Sequence, residues 1–338
     1  MTTDDFGDAL VDPHLDLPDR FFDRFVFNLH PVDAVAPSVL LGFGIYPSAD
    51  TADGFVIITE SAQQRNLRFS TELSLTDGRG VGPFRFEVAE PMQRWHLRLG
   101  ENPIGLELDV SWTARTPAWF GGVAVTNKDG AASAFDHLFQ SGHYAGTLVL
   151  DGVERSVDGW YGQRDRSRGV RTMSGGQGLH VWFQAQFPDF SIGFLLVEDR
   201  RGGRILLEGA VMHVSGELDV IADVAHALDF DFDSLDLRSG TVLVRTASGA
   251  SYVIDADARA GGGFMSGGGY GGHHGKPLGP DHLEWDTYPL DGSVSQTTLD
   301  SSLTDRLATF TWNGVAGSGI FEFALTRSSS YRYGPTLG

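Results

Sequence analysis

Residues 67–75 (LRFSTELSL), 84–88 (FRFEV), 94–99 (RWHLRL) and 106–112 (LELDVSW) follow one another at short intervals. Their reading decides the fold class. Apolar and polar side chains alternate with a period of two, as on a half-buried strand. The runs stop at turn residues such as Thr76-Asp77-Gly78, and such short gaps suit an antiparallel meander.

The same signal continues outward. Residues 54–60 (GFVIITE) read as a buried strand, and residues 144–150 and 154–161 form a hairpin around Asp151-Gly152. After Gly175-Gly176 the pattern restarts at residues 179–187 (LHVWFQAQF), and strand-like runs recur to residue 326, including 283–288. Helix-period stretches are nearly missing. Residues 126–139 (TNKDGAASAFDHLF) read as a non-strand insert with a helical turn. The expectation is an all-β protein of two packed antiparallel β-barrel or sandwich domains, residues 1–172 and 173–338, with an apolar ligand cavity. Residues 260–275 (AGGGFMSGGGYGGHHG) are glycine-dense, which suits a close backbone approach or a mobile flap.

Composition narrows the function classes. A net charge of −19 leaves no basic face for nucleic acid, and it disfavours an anionic membrane surface. No apolar run is long enough for a membrane helix, and residues 1–20 lack the apolar core of a signal peptide. Cysteine is absent, so thiol chemistry is excluded and a cytoplasmic location is favoured. The only lysines, Lys128 and Lys276, sit beside Gly or Pro in apparent loops, which argues against a Schiff base. No nucleophile elbow, P-loop or dinucleotide fingerprint is present. His273, His274, His282, Glu284 and Asp286 lie close in sequence but without metal-ligand spacing, so no metal and no cofactor is expected. Oligomeric state is not legible.

The densest polar cluster is residues 157–171, VDGWYGQRDRSRGVR. Two readings stand: an acid/base Asp165 at a domain seam with arginines controlling its charge, or an inter-domain salt-bridge network. The cluster resembles the D-H-S-W-G-x-R signature of the AttH and carotenoid 1,2-hydratase (hydroxyneurosporene synthase) superfamily. Asp165, Ser167, Gly169 and Arg171 match it, while Arg166 and Arg168 replace the family His and Trp. The resemblance extends through Gly142-His143-Tyr144-x-Gly146 and His180-x-Trp182-x-Gln184. It implies two lipocalin-like domains, and an activity such as adding water to an isoprenoid double bond or a pericyclic cyclisation.

Alkene hydration needs an acid able to protonate carbon and aromatic faces to stabilise the cation. On that reading Asp165 is the acid/base, with His137 as a base or polarising group. Arg166, Arg168 and Gln163 orient it. Trp160, Tyr161, Trp182 and Trp285 form an aromatic wall, and Gln184 and Tyr46 face the substrate. Each aromatic equally suits ordinary core packing. The expected function is therefore a cofactor-independent hydratase, isomerase or cyclase acting on a terpenoid- or steroid-like molecule at the domain seam. The alternative is a lipocalin-like carrier of a hydrophobic metabolite, since barrels enclose cavities by construction.

Overall fold

The computed structural model describes residues 6–126, 132–171 and 177–338, and nearly all of its regular structure is strand. Twelve strands come first: β1 (Phe21–Leu29), β2 (Ser38–Tyr46), β3 (Thr51–Thr59), β4 (Gln63–Glu72), β5 (Gly80–Val81), β6 (Phe84–Glu90), β7 (Arg94–Leu99), β8 (Leu106–Ala114), β9 (Trp119–Thr126), β10 (Ala132–Leu150), β11 (Val153–Ser156) and β12 (Tyr161–Val170). They are followed by β13 (Gln177–Gln186), β14 (Phe190–Asp199), β15 (Arg204–His213), β16 (Leu218–Asp231), β17 (Asp236–Thr246), β18 (Ser251–Phe264), β19 (His282–Pro289), β20 (Thr304–Trp312) and β21 (Val315–Leu325).

The first sheet has the order β19-β4-β3-β2-β1-β12-β10-β8-β7-β6-β5, with β9 and β11 also paired to β10. The second closes as an eight-stranded barrel, β13-β14-β15-β16-β17-β18-β20-β21. The fold is all-β and lipocalin-like in both halves. The expected boundary at 172/173 falls in residues 172–176, outside the described residues. One strand crosses back: β19, expected with the second set, pairs with β4 on the edge of the first sheet.

Two expectations need correction. Residues 126–139 are not a helical insert: β9 runs to Thr126, β10 begins at Ala132, and residues 127–131 lie outside the described residues. The alternation in β10 was hidden because its buried positions include Ser133 and His137 beside Phe135. The glycine-rich segment is no free flap. Gln64 bridges both backbone groups of Phe264 (2.6 and 2.8 Å), and Arg68 Nη1 donates to the Gly267 carbonyl (2.7 Å). A Cβ at Gly267 would lie 2.0 Å from Asn66 Oδ1, so this is the close backbone approach that glycine permits.

Each sheet has its own apolar interior. In the first, Phe25, Phe27, Leu41, Phe43, Trp95 and Trp112 pack together. In the barrel, Phe183 sits among Phe194, Phe310 and Phe321, with ring centroids 4.9–5.1 Å apart. Side chains of all its strands pack into the barrel interior.

β12 lies between β1 and β10 and is covered on both faces. Its period-two geometry splits the polar cluster. Arg164 and Arg166, both 0% exposed, turn to the core side of the first sheet. Arg166 pairs with Asp23 (Nη2–Oδ2, 2.7 Å) and donates to the carbonyls of Phe6 and Ala9. Arg164 pairs with Asp8 (2.7 Å), and its guanidinium lies over Trp95 and Trp112. Asp165 and Ser167 face the other way, toward the barrel. Breaking a buried pair from one side leaves an uncompensated charge. Arg166→Met is therefore expected to lower stability by about 3–5 kcal/mol. Asp23→Leu combined with Arg166→Met should restore most of that loss, as read from denaturant midpoints.

Candidate active site at the seam

The outward faces of the two sheets do not close completely against one another. Between them lies a cavity of about 370 Å³, within the range of small-molecule sites. One side is formed by Arg24, Val26, Leu40, Val123, Val125, Phe135, His137, Asp165, Ser167 and Arg171 of the first sheet. The other comes from the barrel and its loops, with His180, Trp182, Leu195, Val197, Leu206, Asp305 and Glu322. Met265 and Tyr270 of the pinned glycine-rich segment also line it.

The catalytic-type groups are assembled from both sheets. β10 and β12 bring His137 and Asp165 together, and His137 Nε2 lies 2.7 Å from Asp165 Oδ2. From the barrel, Glu208 reaches His137 Nδ1 with Oε1. A Cβ at Gly121 would sit 2.1 Å from Glu208 Oε2, so β9 makes room for that carboxylate by having glycine there. With a carboxylate oxygen at each ring nitrogen, both nitrogens donate, which is the imidazolium form. Burial opposes that charge, but Asp165 and then Glu208 outweigh it and push the His137 pKa up to about 10. Asp165 Oδ1 has no hydrogen-bond partner among the described residues and remains available to a cavity occupant.

A second acid pair stands on the barrel side. Asp305 on β20 and Glu322 on β21 are direct cross-strand partners, both buried. Burial, followed by the neighbouring Glu322 carboxyl, raises Asp305 well above the usual carboxylate range. Burial also raises Glu322, to about 7, and both buried Asp305 carboxyl oxygens lack a hydrogen-bond partner among the described residues. At neutral pH the pair holds a proton, since two like charges this close cannot both ionise cheaply. His180 Nε2 lies 3.0 Å from Glu322 Oε1. Burial, then Arg171 and His137, push its pKa down to about 4, so the neutral ring donates there.

Of the residues expected from sequence, Asp165, His137 and Trp182 line the cavity together. The others do not. Arg166, expected to be catalytic, and Arg168 and Gln163, expected to bind substrate, lie elsewhere. Arg168 lies over the Phe6 ring on the far face of β12, and Gln163, although on the face of Asp165, lies outside the cavity lining with its side-chain amide nitrogen buried and unpartnered among the described residues. Trp160 packs against the core of the first sheet, and Tyr161 lies under the Arg115 guanidinium. Gln184 accepts from Asn28 (2.7 Å) where the sheets touch directly. Trp285, on edge strand β19, is 54% exposed. Tyr46 sits behind the cavity wall beside Arg24. The two replacements in the signature thus fall on the face away from the cavity, while Asp165, Ser167 and Arg171 line it.

Glu208, Asp305, Glu322, His180, Arg24 and Arg171 were not expected as site residues. The available signal was a lone carboxylate inside an otherwise apolar strand, as in residues 204–213 (RILLEGAVMH) and 315–325 (VAGSGIFEFAL). On an outward barrel position such a residue reads as solvated, and only docking of the other sheet buries it.

Residues 14–326 match a single family profile. The protein belongs to DUF8625, a family of unknown function. No curated protein matches the sequence. Among solved structures, the chain is similar to an AttH-type protein from Nitrosomonas europaea, with 15% identity, 96% of each chain covered and a TM-score of 0.61. It also matches kievitone hydratase from Nectria haematococca (10% identity, 92% and 91% covered, TM-score 0.44). A third match is CghA bound to Sch210972 (10% identity, 91% and 89% covered, TM-score 0.48). At these identities the similarity to the AttH-type protein establishes the fold. No described helix is long and apolar enough to cross a membrane, and no described group of His, Asp or Glu is arranged to hold a metal.

The raised His137 pKa has a stability consequence with a definite sign. Its contribution is fully present below the unfolded pKa of about 6.5 and is lost as pH rises through about 10. Denaturant unfolding between pH 6.5 and 10 should therefore show stability falling with pH in the native protein. The slope should be shallower in His137→Gln, and ¹⁵N spectra at pH 8 should show both His137 nitrogens protonated.

Proposed function

We propose that the protein is a cofactor-independent hydratase or cyclase acting on an apolar small molecule in the seam cavity. The observation that carries this reading is the pairing of two unlike acid/base devices across one apolar space. Asp165, bonded to His137, stands on one side, and the proton-holding Asp305–Glu322 pair stands on the other. Adding water to an alkene needs both at once. The carboxyl pair delivers a proton to one alkene carbon. Water then forms the C–O bond at the other carbon and passes a proton to Asp165. Trp182 and Phe135 present π-faces to the intermediate cation, and exclusion of bulk water strengthens each electrostatic contact. In a cyclisation the same groups polarise the two ends of a folded polyene.

A carrier role of the usual lipocalin kind would place the ligand inside a barrel. The aromatic filling of the closed barrel speaks against that. In the seam, a carrier has no use for paired proton donors and acceptors.

Native mass spectrometry of the purified protein incubated with cell extract separates the two readings. A product heavier or lighter than its precursor by one water supports hydration chemistry, and an isomer of unchanged mass supports cyclisation. A ligand recovered unchanged would overturn the catalytic reading. With a substrate in hand, Asp165→Asn and Asp305→Asn should each lower kcat by about 10²-fold or more. Full turnover in both would eliminate the proposed roles.

A further inference from the structure

We infer that the occupant of the seam cavity carries a carboxylate, held by Arg24 and Arg171 with the hydroxyl of Ser167 between them. This rests on the seam cavity being the substrate site and adds the chemical class of what enters it.

The three groups are placed by the pairing of β1 with β12. Arg24 is the direct partner of Ser167, and Arg171 follows four residues on, just past the end of β12. All three line the cavity. Neither arginine makes an ion pair with a carboxylate among the described residues, whereas Arg164 and Arg166, on the opposite face, both do. Arg24 is partly buried and Arg171 exposed at the cavity, and both stay charged at any pH the protein meets, so an anion entering the cavity meets two guanidinium groups that no described carboxylate already pairs.

Arg24 is held in readiness. Its Nη2 contacts His274 Nε2 (3.1 Å), and His274 Nδ1 lies 3.4 Å from Asp53. Burial, then Arg24 itself, keeps His274 neutral by pushing its pKa down to about 4, so the ring accepts from Arg24 without cancelling its charge. The guanidinium also stands 5.1 Å from the Tyr270 ring centroid, and its Nε is buried with no partner. A Cβ at Gly44 would lie 2.6 Å from Arg24 Cγ, so β2 yields the space this side chain needs. Arg171 lies 4.3 Å from the Phe135 ring centroid, and its Nη2 is 3.5 Å from Ser167 Oγ. Most guanidinium donors of the pair are unspent.

A single negative charge suits the site better than a phosphate. Asp165 is two residues from Ser167 on the same face, and the Glu322 carboxyl also lies in the field of Arg171. A dianion would meet both. An apolar acid, its chain along Val26, Leu40 and Trp182 and its head at Arg24, satisfies the whole lining.

The test compares dodecanoate, methyl dodecanoate and dodecyl phosphate by calorimetry on the full-length protein at pH 7.5. Hydrogen bonds to a charged group are worth enough for the acid to bind about tenfold or more tighter than the ester. Arg24→Met and, separately, Arg171→Met should each shrink that preference, and Arg24→Lys should retain part of it. Equal binding of acid and ester, or an unchanged preference in both Met variants, overturns the inference and leaves the seam cavity as a neutral-ligand site. Dodecyl phosphate binding tighter than dodecanoate overturns the carboxylate assignment. Failure of every probe to bind overturns the seam as a ligand site, and the function proposed for it falls as well.

Discussion

A strand covered on both faces offers a charged side chain no water to turn toward, and β12 is such a strand with four of its ten residues charged. Every one of those groups must find its counterpart within the protein. The period of two decides how. Arg164 and Arg166 meet Asp8, Asp23 and the carbonyls of the N-terminal segment, and they tie that segment across the first sheet. Asp165 and Ser167 are left facing the barrel, where His137 completes the arrangement. Arg164 and Arg166 thus form ion pairs on the side of the first sheet rather than between domains, and Asp165 lies on the opposite face of the same strand, at the cavity.

The second constraint is that both apolar interiors are full. With the barrel packed by phenylalanines, the cavity that gathers the ionisable groups arises where outward faces meet imperfectly. That explains why the cavity is richly functionalised while its surroundings remain stable. Core positions carry the packing energy, and outward positions, which in a free sheet would be solvated, carry the ionisable groups. Docking then desolvates them together, which is why so many shifted pKa values converge on one small volume.

Much of this architecture was legible in the sequence, because strand alternation is a local signal. The all-β class, the glycine-permitted approach near Gly267 and the pairing of Asp165 with a cavity follow from short stretches and a matched signature. β10 escaped because its buried face carries Ser133 and His137, which break the hydrophobic pattern without breaking the strand. Partner choice escaped as well: nothing in residues 282–289 specifies β4 rather than a barrel strand. Arg166 and Arg168 were misread because a cluster in sequence was treated as a cluster in space, although adjacent strand residues face opposite ways. Glu208, Asp305 and Glu322 acquire their meaning only from the sheet that covers them, and no local pattern encodes that.

The crossing strand β19 sets an order on biosynthesis. The edge of β4 is completed by residues 282–289, which leave the ribosome after most of the barrel has been made. Until then the first sheet presents an open ladder of unpaired backbone groups, the usual template for joining another chain. Arg65 and Arg68 on that edge place cations along the open ladder during this interval. Mature edge pairing awaits this segment, and the cavity awaits Asp305 and Glu322, which emerge later still. The nascent chain therefore has no finished binding site, and ligand can be captured only by the completed polypeptide.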